Sequence, residues 1–132
     1  MKICKKLIKY LIKLRKEATN KNIQINEDKY PLLTIESIRR RLEQYLEIWG
    51  LDFSQPCLWD IYLSFELSNL DKYKKENDET NINHTINLIR SIFRRRLSFP
   101  HIDLDIVWSE YKKWEKDTEE LNKVEFKYHE VR

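Results

Sequence analysis

Trp59-Asp-Ile-Tyr62-Leu-Ser-Phe65-Glu66 recurs downstream as Trp108-Ser-Glu-Tyr111-Lys-Lys-Trp114-Glu115. In each copy three aromatics stand three residues apart, which puts them on one side of a helix with the glutamate beside that seam. The segments before the two copies repeat as well: Ile38, Arg39, Leu42 and Leu46 align with Ile89, Arg90, Phe93 and Leu97. The unit is therefore a pair of helices that returns after roughly fifty residues, the period of a helical-repeat protein. A helix pair cannot bury both of its apolar seams alone, so it stacks on the next pair. Large aromatics at fixed offsets fill the same space in each copy, so they read as core and not as a cofactor box.

Composition agrees. The 132 residues hold one glycine (Gly50) and three prolines (Pro31, Pro56, Pro100). Strand-rich folds need many turns, and turns with positive φ draw on glycine. The fold class expected is all-α: a short array of helical hairpins of the tetratricopeptide-like α-α superhelix kind. One domain spans residues 1–132, with a basic helix and loop over 1–34 and the repeat helices over 35–132.

Along the chain, the first helix runs from about Ile3 to Ala18, and residues 19–33 form a polar loop with some short structure. Thr34 offers an N-cap for a second helix, Ile35 to Ile48, and Gly50 stands where a helix commonly stops. Pro56 suits the first turn of a third helix, which fades near Leu70. Residues 71–81 are polar and read as a solvated helical extension or an exposed loop. The fourth helix, about Asn83 to Phe99, ends at Pro100, since the residue before a proline avoids the α region. A fifth follows from Asp103 to Lys116, and a sixth, loosely patterned, from Thr118 to Glu130. Glu130-Val-Arg lacks an evident cap, as expected of a chain that continues into further repeats.

The formal net charge of +3 says little about partners, but its distribution says more: residues 1–21 carry eight Lys/Arg and one acid, whereas residues 115–130 are rich in acids. In the first helix Ile3, Leu7, Tyr10, Leu11 and Leu14 share a face opposite the lysines, which predicts a packing helix with a solvated basic side. Such a helix also suits a membrane surface or calmodulin, though lysines interrupt it too often for a membrane span. Membrane partners are accordingly not expected. Cys4 and Cys57 have no paired spacing and read as reduced thiols. His84, His101 and His129 sit in separate segments, and a lone Gly50 cannot build a phosphate loop. No catalytic, cofactor-binding or metal residues, and no small-molecule substrate, are expected.

The quoted motif resembles the signature of HAT (half-a-tetratricopeptide) repeats. Trp-x-x-Tyr-x-x-aromatic-Glu matches the first helix of a repeat, and Ile89-Arg90-Ser-Ile-Phe93-Arg-Arg-Arg-Leu97 closing on Pro100 matches the second. The run from Leu58 to Asp117 is most similar to the HAT repeats of spliceosomal U4/U6 recycling factors, and Ile35 to Trp49 to the second helix of a preceding repeat. The resemblance implies a non-enzymatic scaffold for protein–protein interactions in RNA processing, in pre-mRNA splicing and snRNP assembly, and hence a nuclear protein. It assigns structural roles to Trp59, Tyr62, Phe65, Glu66, Arg90, Phe93, Leu97, Pro100, Trp108, Tyr111, Trp114 and Glu115, and dimerisation is common among such arrays. Two departures stand out: Arg94, Arg95 and Arg96 occupy positions where Glu-Arg is usual, and Trp114 replaces Phe or Leu. These arginines, with Arg39 and Arg40 on the equivalent helix, raise an alternative of direct RNA binding. Against it, three consecutive arginines point around a helix, and Arg39 and Arg90 are placed to pair with the motif glutamates instead.

Overall fold

The computed structural model describes residues 2–26, 28–50, 57–98, 103–116, 120–123, 125 and 128. Among the described residues the helices with defined bounds are α1 (Lys2–Asn20), α2 (Ile35–Trp49), α3 (Leu58–Lys75), α4 (Glu79–Arg96) and α5 (Leu104–Trp114), with a 3-10 turn at Pro31–Leu33. No strand occurs among the described residues, and the protein is all-α. Residues 120–123, 125 and 128, within the expected sixth helix, are helical; Val124 and Phe126 lie outside the described residues, as do Pro56 and Pro100. The chain divides into two compact units, Met1–Phe65 and Glu66–Arg132, and the division falls inside α3.

In the first unit α1 packs on α2 and on the 3-10 turn. Its buried face is formed by Ile8, Leu11 and Ala18, against α2 residues of which Ile38, Leu42 and Leu46 are also buried. Each such aliphatic side chain contributes about 1.5–3 kcal/mol when fully buried. This corrects the expected face: Leu11 belongs to it, but Ile3, Leu7 and Tyr10 are exposed, Leu14 is half-buried, and Ile8 takes the centre. The apolar arc of α1 is wider than the surface it packs on, so spacing alone could not say which half would be covered. Arg15 is drawn into the fold, donating through a guanidinium N–H to the Leu33 carbonyl at 3.0 Å.

Helix α2 begins as the sequence suggests, with the Thr34 hydroxyl accepting from the Ser37 amide at 3.2 Å. It ends differently. Gly50 keeps right-handed helical angles (φ −61°, ψ −21°), so no left-handed stop requires the glycine. Space does: a Cβ there would stand 2.4 Å from the Leu46 carbonyl oxygen. The Gly50 carbonyl then accepts a bond from Trp59 Nε1 at 2.8 Å, fixing the first motif tryptophan to the end of α2.

The polar stretch 71–81 proves to be helix, cap and helix. α3 continues to Lys75 and closes with Asn77 at φ 54°, its amide bonded to Lys74 O and the Asp78 amide to Tyr73 O. This pair of bonds is the Schellman ending, which glycine usually serves. α1 closes the same way at Asn22 (φ 58°), with Ile23 N bonded to Ala18 O. A chain with one glycine thus uses asparagine, which tolerates the left-handed region better than other residues. Asp78 immediately caps α4, its carboxylate accepting from the Asn81 amide at 3.3 Å and side chain at 2.6 Å. That cap starts α4 four residues before the expected Asn83.

Candidate functional site

The second motif copy is assembled by packing α4 on α5. Phe93 lies 5.1 Å from Tyr111 and 5.8 Å from Trp114, ring centre to ring centre, and Trp108 stacks on Tyr128 at 5.0 Å. Tyr111, Phe93 and Leu97 are fully buried, Trp108 is buried, and Trp114 is half-buried. Glu115 is the residue at which α5 ends: its backbone turns extended (φ −78°, ψ 126°) and its carboxylate folds back into the protein, 5% exposed. There it accepts from Arg90 Nε at 2.7 Å, Arg90 Nη2 at 3.0 Å and the Tyr111 hydroxyl at 3.1 Å. Burial, and then the neighbouring carboxylate that accepts its proton, push the Tyr111 phenol up to about 12. The Lys116 amide donates to the Glu115 carboxylate as well, at 3.2 Å, so Glu115 is a structural anchor.

In the first unit Trp59, Tyr62 and Phe65 are buried, and the Tyr62 hydroxyl donates to Glu43 at 3.0 Å. In the second unit Glu66 is wholly buried and accepts from Asn69 Nδ2 at 3.4 Å. Pro100 lies outside the described residues.

The arginines do not form one surface. Arg40 and Arg94 are exposed, Arg39 and Arg95 are half-buried, and Arg96 is 2% exposed, withdrawn from any phosphate. Arg94 forms an ion pair with Glu120. Consecutive positions on a helix turn by about 100° each, which distributes the three side chains around it.

A cavity of about 660 Å³ opens in the second unit beside the Arg90–Glu115 pair, lined by Leu70, Lys74, Ile86, Lys113, Trp114 and Lys116 as well as that pair. These lysines stand outside the repeated motif positions. Lys113 and Lys116 flank Trp114, an interleaving of basic and aromatic residues that marks nucleic-acid surfaces. Nothing local reveals that Lys74, from α3, joins them. A smaller cavity of about 290 Å³ in the first unit is lined by Lys9, Ile12, Lys16, Asp60, Ile61, Ser64 and Phe65.

Among the described residues no group of three His, Cys, Asp or Glu is placed to hold a metal ion. No described helix is long and apolar enough to cross a membrane. Neither Cys4 nor Cys57 forms a disulfide, and the Cys57 thiol donates to Asp60 at 3.0 Å.

Residues 4–129 match the family described as Suppressor of forked protein (Suf). The chain belongs to the Suf family. Among curated relatives it is 29% identical over 84 residues to "Spliceosome associated factor 3, U4/U6 recycling protein" of Pongo abelii, and 27% over 84 residues to the Homo sapiens protein of that name. It is 29% identical over 68 residues to "mRNA 3'-end-processing protein RNA14" of Candida albicans. These matches cover 63%, 63% and 52% of this chain, and this chain spans 8% of the length of each relative. No solved structure gives a significant match.

The structure explains how this Suf-family chain tolerates its departure at Arg94. By the repeat alignment, Glu43 and Arg94 follow the equivalent residues Leu42 and Phe93. Glu43 supplies the acceptor for Tyr62. Arg94 cannot accept, and the Tyr111 hydroxyl donates to Glu115, just past the end of its own helix. The motif tyrosine donates to a carboxylate in both copies.

Proposed function

We propose that this chain is a non-enzymatic helical-repeat scaffold that holds protein components of a nuclear RNA-processing complex. The observation that carries the reading is the fate of the motif residues. Arg90, Tyr111 and Glu115, the titratable and charged residues of the second motif copy, are joined to one another with both carboxylate oxygens of Glu115 committed. Such a network specifies how α4 meets α5 and engages these three groups with one another. The family match, and relatives named for splicing and for mRNA 3'-end processing, support the setting. Among those settings, U4/U6 snRNP assembly is the one we favour.

The arginine-rich second helices are a weaker basis for direct RNA binding, because Arg96 is buried and Arg94 is paired. The scaffold reading is tested by purifying the tagged full-length protein from nuclei under conditions that keep complexes intact, beside a version lacking the repeats. Splicing or 3'-end-processing components should co-purify with the first only. Their retention without the repeats would sink the idea.

A further inference from the structure

The cavity in the second unit combines three features that the scaffold reading does not use. Lys74, Lys113 and Lys116 line it, all exposed, and their ammonium groups make no hydrogen bond or ion pair with the described residues. Trp114 lines it half-exposed, held from within by Phe93 and Tyr111. Leu70 and Ile86 add apolar lining. The carboxylate at its edge, Glu115, is already matched by Arg90, so the cavity carries an excess of positive charge. Three lysines lining one cavity raise its positive potential, which an anion there relieves.

We infer that this cavity binds a short stretch of single-stranded RNA, with Lys74, Lys113 and Lys116 on successive phosphates and a base stacked on Trp114. Single-strand binding sites pair a positive groove with an aromatic on which bases stack, and both parts are present together here. An acidic peptide is the other anionic polymer to weigh. Carboxylates are best held by the paired N–H groups of arginine. The one arginine lining this cavity, Arg90, already spends two of its N–H groups on Glu115. Lysines act as point charges suited to phosphodiesters, and an indole face offers a carboxylate nothing. This site is distinct from the arginines Arg39, Arg40 and Arg94–Arg96, and it does not depend on the scaffold reading.

The test is fluorescence anisotropy of a labelled oligouridine about ten nucleotides long with the full chain. Binding is expected at low salt, weakening roughly twentyfold when monovalent salt is raised fourfold, as three released counterions require. Lys74→Glu/Lys113→Glu/Lys116→Glu should lower affinity at least about tenfold, while the charge-matched control Lys9→Glu/Lys16→Glu/Lys21→Glu, in the other unit, leaves it nearly unchanged. Trp114→Leu should weaken binding on the order of tenfold without altering the salt slope. Circular dichroism must show each variant folded. The lysine triple variant changes only exposed side chains, so it decides the matter even if Trp114→Leu fails to fold. No binding at low salt, equal loss in both triple variants, or displacement of the RNA by an oligoglutamate peptide at comparable concentration would overturn the proposal.

Discussion

Arg90 clasps Glu115 with two N–H groups, at 2.7 and 3.0 Å, across 25 residues of sequence and between α4 and the end of α5. The Glu115 side chain is 2% exposed and that of Arg90 23%. Breaking such a pair from one side strands a buried charge. Arg90→Ala should therefore cost about 3 kcal/mol or somewhat more, and Arg90→Lys less. The double variant Arg90→Met/Glu115→Leu should lose clearly less than the sum of its single changes, because neither charge is then stranded. Urea denaturation with a full cycle measures this, and strict additivity would show that the pair is not coupled.

Tyr111 makes stability depend on alkaline pH. Its phenol is raised from 10.0 to about 12, by burial first and then by Glu115. Between those values the unfolded chain loses this proton while the folded chain keeps it, so stability falls as pH rises from about 10 to 12. Below pH 10 both states hold the proton and the effect vanishes. Tyr111→Phe should show a shallower decline than wild type over that interval. Comparing urea midpoints of the two proteins near pH 9 and near pH 11.5 checks the difference, and parallel declines would refute it.

The junction between α3 and α4 rests on Asn77 in the left-handed region and on Asp78 as cap. Asn77→Gly should stabilise by up to about 1 kcal/mol, and Asn77→Val should destabilise by about 1–2 kcal/mol, because a β-branched residue cannot sit at that φ without strain. Asp78→Ala should cost about 1 kcal/mol through the lost cap. Thermal melts followed at 222 nm provide the comparison.

Thr85 in α4 is fully buried, and its hydroxyl has no hydrogen-bond partner among the described residues. Replacing it by valine keeps the shape and removes the unsatisfied group. Thr85→Val should raise stability by about 1 kcal/mol in chemical denaturation, and a loss of that size would reveal a partner for the hydroxyl.

Much of this was legible beforehand because it depends on near neighbours in sequence. The aromatic seam, the Thr34 cap and the pairing of Arg90 with a motif glutamate follow from three- and four-residue spacings and from the repeat. The α3–α4 junction was less legible, since its signal is asparagine at a position where glycine is the usual marker. Glu43 was missed as the partner of Tyr62 because a carboxylate on a polar helix ordinarily stays solvated.

The sequence by itself determined that the chain is helical, that Thr34 caps α2, and which residues form the repeated seam. Those properties arise from hydrogen bonds and contacts within a turn or two of helix. Only the tertiary structure decided which half of the apolar arc of α1 is covered, that Glu43 accepts from Tyr62, and that Lys74 meets Lys113, Lys116 and Trp114 around one cavity. Burial and charge at those places depend on the shape of a surface contributed by residues far away in the chain, and no local spacing encodes that shape.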